Sequence, residues 1–177
     1  MASAADQRET GRDSAPRREL EVGAVEAIHI AAAAWAPVRR VDAIRAIAGV
    51  GLEGDRYAEG RGHYQDERVS RDLTLIETEA VEALAREHAI ELASGETRRN
   101  LTTRGVNLNE LVGRRFWVGH VLCLGTRLCE PCQYLADLTG KPLLRALVHR
   151  GGLRADILRD GVIRVGDRVR PAGEDQS

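Results

Sequence analysis

The chain has 177 residues and a net charge of −1, with 26 Lys and Arg against 27 Asp and Glu. This length predicts one domain that buries about two-thirds of its unfolded surface, and the near-neutral charge argues against partners such as nucleic acid or an anionic membrane. Three cysteines, no secretory leader pattern and no apolar run near the roughly 20 residues of a membrane span predict a cytoplasmic protein with reduced or metal-bound thiols.

The N-terminal third is interpreted as a tail followed by strands and a loop. Residues 1–18 are polar, charged and without period, which predicts a disordered tail. Loose apolar alternation predicts a strand from Glu19 to Ile30, and a second strand-like stretch runs from Val38 to Val50. The segment Gly54–Tyr64 is polar and Gly-rich, which is typical of a mobile surface loop or a binding loop. His63 in this loop is predicted to be an isolated surface residue.

The middle of the chain contains the one convincing long helix. Leu73–Ile76 is a short apolar run that leads into it, and apolar positions keep helical spacing from Ile76 to His88. One helical turn is predicted over Leu108–Leu111. Strands are predicted over Phe116–Val118 and Val121–Leu124.

The C-terminal part is predicted to hold two short helices and then two strands. The helices cover Cys132–Leu138 and Leu143–Val148. The strands cover Ala155–Leu158 and Val162–Val169, and the intervening Asp160-Gly161 pair is typical of a hairpin turn. Many short strands with Gly-bearing turns predict a mainly β, barrel-like fold with a few short helices.

The most informative segment is Cys129-Glu-Pro-Cys132, which follows an apolar strand-like run. A thiolate there would lie at the mouth of a strand-to-loop turn. Four interpretations stay open: half of a structural zinc site completed from Cys123, His120 or His149, a dithiol redox motif, a single metal-ligating cysteine, or two ordinary buried cysteines. Cys123 is predicted to be an ordinary buried cysteine on its strand.

Two further segments carry groups suited to an anion. The run Arg98–Asn107 holds three arginines, two asparagines and two threonines. On a strand Arg98 and Asn100 would project from one face, where a guanidinium and an amide suit a phosphate or a heterocycle edge. A solvated edge strand is the alternative. In residues 51–56 the glycines permit a tight turn and Arg56 adds charge, although such segments also form ordinary turns.

These segments belong to an ordered set of motifs. In chain order the motifs are Gly54-Asp-Arg56, Arg71-Asp-Leu-Thr-Leu-Ile76, Arg98-x-Asn100, Leu111-Val-Gly113, Phe116-x-Val-Gly119, Cys129-Glu-Pro-Cys132, Arg150-Gly-Gly-Leu-Arg154 and Gly161-x-Ile-x-Val-Gly-Asp167. The set resembles MOSC domains, the C-terminal domains of molybdenum cofactor sulfurases, in their stand-alone bacterial form. The resemblance implies a single MOSC domain over residues 19–170, followed by a disordered tail at 171–177.

The resemblance also implies a β-barrel-like fold that holds molybdopterin. By position in the motif, Cys132 is the thiolate ligand of molybdenum and the catalytic residue. Arg98 and Asn100 match an Arg-x-Asn pair that contacts the cofactor, and Arg56 matches a basic residue on the opposite loop. Arg71 is carried over as a further cofactor contact.

The activity implied by this resemblance is reduction of N-hydroxylated small molecules, such as hydroxylamino purines. The N–O bond would be cleaved with electrons from a separate reductase partner. The alternative is a non-enzymatic carrier of the cofactor, or of sulfur as a persulfide on Cys132. Cys129 departs from many relatives and is interpreted as a passive substitution.

Overall fold

A computed structural model of the protein describes residues 22–64 and 72–173. Within those ranges the chain consists mostly of strands that form a closed seven-stranded β-barrel, accompanied by three short α-helices. The mainly β, barrel-like class is therefore confirmed. The predicted N-terminal tail, Arg71 and residues 174–177 lie outside the described ranges.

The elements follow one another along the chain with short connections. The strands are β1 (Gly23–Ile30), β2 (Arg39–Val41), β3 (Ala43–Ile47), β4 (Gly51–Leu52), β5 (Leu73–Glu77), β6 (Leu101–Arg104), β7 (Arg115–Val118), β8 (Val121–Leu128), β9 (Leu153–Ile157), β10 (Gly161–Arg164) and β11 (Arg168–Pro171). The helices are α1 (Thr78–His88), α2 (Gln133–Thr139) and α3 (Leu143–Ala146), with one 3₁₀ turn at Leu108–Leu111. No helix in the described ranges is both long and apolar enough to span a bilayer.

The barrel runs in the order β11, β7, β8, β9, β5, β6 and β1, and it closes where β1 pairs with β11. Gly23 lies opposite Val169 in that closing pair. The pairing of β5 with β6 is parallel, so it needs a crossover, and α1 lies within that connection. Strand β2 extends the sheet beyond β1, while β10, β3 and β4 form a separate three-stranded sheet.

Two apolar clusters follow from the strand and helix patterns. Alternate residues of β8 and β9 are buried, as expected when one face of each strand lines a core. Aliphatic side chains and Phe116 fill the barrel. A second, smaller cluster joins α1 to α2 and α3 through Leu84, Leu135 and Leu143, and Cys132 packs against it. This second cluster fixes the helix that follows Cys132.

Most of the predicted elements are confirmed, with shifted ends. The strand predicted over Glu19–Ile30 is described from Gly23, and the helix predicted after Leu73–Ile76 is α1. The prediction of a single strand-like stretch over Val38–Val50 is wrong. This segment forms two strands, β2 and β3, with Asp42 between them.

The predicted hairpin at Asp160-Gly161 is also wrong. Strand β9 pairs with β5 and β8, whereas β10 pairs with β3. Asp160 instead contacts a distant part of the chain, since its Oδ1 accepts a hydrogen bond of 2.7 Å from the backbone N–H of Ala48. The strand predicted over Val162–Val169 is split into β10 and β11, with Gly166 at a φ of 91° between them.

Candidate functional site

Cys132 lies immediately before α2, with extended backbone at φ −132° and ψ 163°. Its carbonyl accepts hydrogen bonds from the N–H groups of Leu135 and Ala136, so Cys132 is the N-cap residue of this helix. The side chain is half-buried. Cys129 is only 2% exposed and Cys123 is fully buried. All three cysteines are free thiols in the described ranges, and Cys132 is the one with substantial access to solvent.

Cys123 behaves as the ordinary core residue that its strand predicts. It lies on β8 inside the barrel cluster, opposite Phe116 on β7. Burial raises the pKa of its thiol well above the ordinary range, with further contributions from the charges of Asp72 and Asp156. This thiol is therefore unsuited to bind a metal or attack a substrate.

Two buried arginines lie together, and one of them, Arg98, contacts Tyr134 on the helix that follows Cys132. Arg56 is 5% exposed and Arg98 is 6% exposed. Arg56 Nη1 lies 3.2 Å from Asp55 Oδ1, and its Nη2 donates a hydrogen bond of 3.1 Å to the carbonyl of Arg98. Burial lowers the pKa of Arg98, and the neighbouring charge of Arg56 lowers it further. These three side chains leave one positive charge unbalanced in a poorly solvated environment, where it favours an anion.

The guanidinium of Arg98 contacts several segments of the chain. Its Nη1 donates to the carbonyl of Ala36, and its Nη2 donates to the hydroxyl of Tyr134 at 3.3 Å and lies 3.5 Å from the carbonyl oxygen of Ala33. Its Nε is buried and has no hydrogen-bond partner among the described residues. A buried donor of this kind is costly unless a ligand or water meets it.

The prediction that Arg98 and Asn100 project from one face of a strand is wrong. Strand β6 begins only at Leu101, and Arg98 has a positive φ of 63°. Strand alternation therefore does not relate the two side chains. Asn100 is 3% exposed, and its Oδ1 accepts hydrogen bonds from the N–H and hydroxyl of Thr74, while Nδ2 donates to the carbonyl of His29. These bonds link β5 to β1.

Tyr134 is a site residue that the sequence analysis missed. Its hydroxyl accepts hydrogen bonds from the N–H of Trp35 at 3.0 Å and from Arg98. Its ring stacks on His63, with centroids 4.3 Å apart and planes 11° apart, and it meets Trp35 edge to face. His63 is an exposed loop residue, as predicted, but it is not isolated, because it stacks on Tyr134. The one signal in the sequence was the position of Tyr134, two residues after Cys132.

The structure thus unites some of the predicted site residues. Arg56 contacts Arg98, and Tyr134 connects Arg98 to the helix that begins after Cys132. Asn100 is close along the chain, but its described bonds hold strands together. Arg71 lies outside the described residues.

The donor set suits a metal that needs a single protein ligand. No group of three or more His, Cys, Asp or Glu side chains in residues 22–64 and 72–173 could hold a metal ion. A structural zinc site, which needs four ligands, is therefore not assembled from those residues. The resemblance to MOSC domains implies a molybdenum ion held by the dithiolene sulfurs of molybdopterin, for which Cys132 would be the one protein thiolate. The accessible thiol, the unbalanced positive charge and the unpartnered Nε of Arg98 fit such an anionic cofactor.

Two cavities lie beside α1, and neither is lined by Arg56, Arg98 or Cys132. The larger, of about 400 Å³, has Glu77, His149 and Arg150 in its wall. The smaller, of about 280 Å³, is lined by residues that include Arg40 and Ser94. Neither wall includes a cysteine, so neither cavity offers an alternative thiolate site.

Comparisons with known proteins agree with the fold. Among solved structures, YuaD from Bacillus subtilis has a TM-score of 0.70 at 16% identity, over 84% of this chain and 94% of that one. YiiM from Geobacillus stearothermophilus has a TM-score of 0.65 at 15% identity, over 85% and 75% of the two chains. YiiM from Escherichia coli has a TM-score of 0.61 at 17% identity, over 87% and 72%.

At sequence identities of 15–17%, the similarity to these solved structures shows only that the fold is shared. No curated protein sequence matches the chain. The MOSC domain family model matches residues 59–170, a segment that contains Arg98, Asn100 and Cys132. This match covers well over half of the chain and confirms the resemblance inferred from the ordered motifs. The chain belongs to the MOSC domain family and is a molybdenum-cofactor-related domain.

Proposed function

We propose that the protein binds the molybdenum cofactor through the thiolate of Cys132 and reduces N-hydroxylated small molecules. In this reaction R–NH–OH takes up two electrons and two protons, the N–O bond breaks, and R–NH₂ and water are released. The bound cofactor would supply the two-electron redox chemistry, and a separate reductase protein would supply the electrons. The observation that carries the proposal is the solvent access of Cys132 at the start of α2, a helix whose Tyr134 accepts a hydrogen bond from Arg98 of the buried cationic cluster.

Each residue of the cluster has a distinct part in this proposal. Cys132 holds the metal. Arg56, Arg98 and Asp55 together carry one net positive charge. In this proposal that charge offsets the negative charge of the pterin phosphate. The free Nε of Arg98 is a donor for that anion. Asn100 acts through the strands that it holds together, and Arg71 remains a predicted contact.

The first test measures molybdenum and pterin per chain. Protein is prepared from a host that makes the cofactor, and again after reconstitution with free cofactor. We expect near-stoichiometric molybdenum in the wild type and at least about a tenfold loss in Cys132→Ala, because the single protein ligand is removed. Cys129→Ala is the matched control, since that thiol is buried, and it should retain molybdenum. Equal loss in both variants would contradict the assignment of Cys132 as the ligand.

The second test separates an enzyme from a carrier. Loaded protein is given a chemical electron donor and a hydroxylamino purine, and formation of the amine is measured. Turnover that is lost in Cys132→Ala supports the reductase. Molybdenum binding without turnover, together with transfer of cofactor to an apo-enzyme or a persulfide on Cys132, would instead establish the carrier.

A further inference from the structure

Arg99 lies between the two residues of the Arg-x-Asn motif and makes contacts of a different kind. It is 7% exposed. Its Nε donates to the carbonyl of Gly151 at 2.9 Å, its Nη2 donates to the carbonyl of Cys129 at 2.9 Å, and its Nη1 donates to the carbonyl of Thr97 at 3.1 Å. All three described partners are backbone oxygens, so the planar guanidinium joins three segments of main chain.

The main chain at Cys129 also contacts the main chain at Gly151–Gly152 directly. The N–H of Cys129 donates a hydrogen bond of 2.7 Å to the carbonyl of Gly152. A Cβ atom on Gly151 would lie 2.3 Å from the carbonyl oxygen of Cys129, which is closer than real Cβ contacts allow. The peptide groups of Cys129 are thus held from both sides, by Arg99 and by the Gly151–Gly152 turn. The arm from Cys129 to Cys132 begins at this clamped point.

We infer that Arg99 is a positioning residue that clamps this arm onto the Gly151–Gly152 turn and thereby holds the thiol of Cys132 at the start of α2. Its importance for metal binding rests on the proposed function, whereas the clamp itself does not. A lysine keeps the charge but has no planar fork, so it cannot reach three carbonyls at once. The buried position of Cys129 is a consequence of the same clamp.

Two of the natural cysteines, Cys129 and Cys123, provide the test, because each reports a different event. Cys129 lies on the clamped arm, whereas Cys123 lies inside the barrel and is exposed only when the barrel opens. Cofactor-free protein is alkylated with iodoacetamide under native conditions, and the rate at each cysteine is followed by mass spectrometry. In Arg99→Gln we expect alkylation of Cys129 to accelerate by roughly tenfold over wild type, which corresponds to about 1.4 kcal/mol, with a smaller change at Cys123.

Three further variants identify the cause. Gly151→Ala crowds the same carbonyl of Cys129 from the other side and should reproduce the selective acceleration of Arg99→Gln. Arg99→Lys should give an intermediate rate, because a single ammonium nitrogen can replace only part of the contacts that the three guanidinium nitrogens make. Val169→Ala weakens the barrel core on β11, a strand that pairs with β1 and β7, and it should accelerate Cys123 and Cys129 by the same factor.

Acceleration of Cys129 and Cys123 by one common factor in Arg99→Gln would overturn the inference, as would no change at Cys129. Molybdenum retention is measured separately on the same variants. If wild-type protein binds no molybdenum but Arg99→Gln still exposes Cys129 selectively, the clamp stands and the proposed function fails. If the wild type binds molybdenum and Arg99→Gln leaves both the alkylation and the metal content unchanged, the clamp fails alone.

Discussion

Arg98 and Arg99 are adjacent in the chain and almost equally buried, at 6% and 7% exposure. They nevertheless have different partners. Arg99 donates from all three of its nitrogen positions to backbone carbonyls, whereas the Nε of Arg98 has no partner among the described residues. A guanidinium whose donors all have hydrogen-bond partners stabilises the folded protein. A buried donor without a partner instead favours binding of a ligand that accepts its hydrogen bond. This difference is why we propose ligand contact for Arg98 and positioning for Arg99.

Two carboxyl groups near the core make stability depend on pH. Burial raises the pKa of Asp156, and the neighbouring charge of Asp72 raises it further. Burial also raises the pKa of Asp72, although hydrogen bonds from the N–H groups of Ile157 and Gly49 oppose the shift. Oδ1 of Asp156 has no described partner. The folded protein therefore binds these protons more tightly than the unfolded chain, and stability is lost as pH rises through the raised pKa values.

Asp156→Asn should stabilise the protein at neutral pH, because it removes a poorly solvated charge and the repulsion from Asp72. We expect the Tm to rise by about 3 °C at pH 7.5, and the gain to vanish below about pH 4, where the wild-type carboxyls are protonated. Thermal unfolding followed by circular dichroism across this pH range checks both parts. Asp137→Asn, at an exposed position on α2, is the matched control and should show no such gain. A lower Tm for Asp156→Asn at pH 7.5 would contradict the account.

Among the elements, the turn before β9 sets where the cysteine arm can lie. Leu153 of β9 pairs with Leu75 of β5, so the turn passes close to the backbone of β5. Gly152 has a φ of 95°, and a Cβ atom there would lie 1.9 Å from the carbonyl oxygen of Leu75. The carbonyl of Gly152 in turn accepts the N–H of Cys129. Close contact between β5 and this turn therefore constrains where the arm lies.

Comparing Gly152→Ala with Gly166→Ala separates steric overlap from backbone strain. Both glycines have similar positive φ values, 95° and 91°, but nothing lies within 4 Å of a Cβ on Gly166. Gly166→Ala should cost about 1–2 kcal/mol of unfolding free energy from strain alone. Gly152→Ala should cost more than about 3 kcal/mol, or prevent folding, because the β5 backbone cannot move away cheaply. Urea denaturation measures both, and equal costs would show that the close contact is unimportant.

For the molecule as a whole, closure of the barrel depends on strands from the two ends of the described chain. Strand β11 pairs with β1 on one side and with β7 on the other. Val169 is fully buried within the barrel core. Closure leaves these strands without the exposed edges that an open sheet presents. The barrel should therefore unfold as one cooperative unit.

Truncation after Gly166 tests this dependence, because it removes β11 and exposes the edges of β1 and β7. We expect the shortened protein to lose cooperative thermal unfolding and to expose the buried thiol of Cys123 to alkylation. Truncation after Gly173 is the control, since it leaves every described strand in place. A cooperative transition near the wild-type Tm in the shorter protein would show that the remaining strands suffice.

The sequence by itself determined the mainly β class, the α1 helix, the 3₁₀ turn, the burial of Cys123 and membership of the MOSC family. These inferences rest on local periodicity, on glycine and proline positions and on the order of short motifs, all of which can be seen along the chain. The same local signals failed at Asp160-Gly161, where a good hairpin sequence joins strands that pair elsewhere.

Tertiary structure alone decided which partners each group meets. Stacking of His63 on Tyr134, the contact of Arg56 with Arg98 and the clamp formed by Arg99 join residues that are widely separated in the chain. Arg98 and Arg99 look alike in sequence, and their roles diverge because a positive φ at Arg98 removes the strand alternation that local reasoning assumes. Burial and hydrogen-bond satisfaction depend on how the whole barrel closes, so no pattern within a short window specifies them.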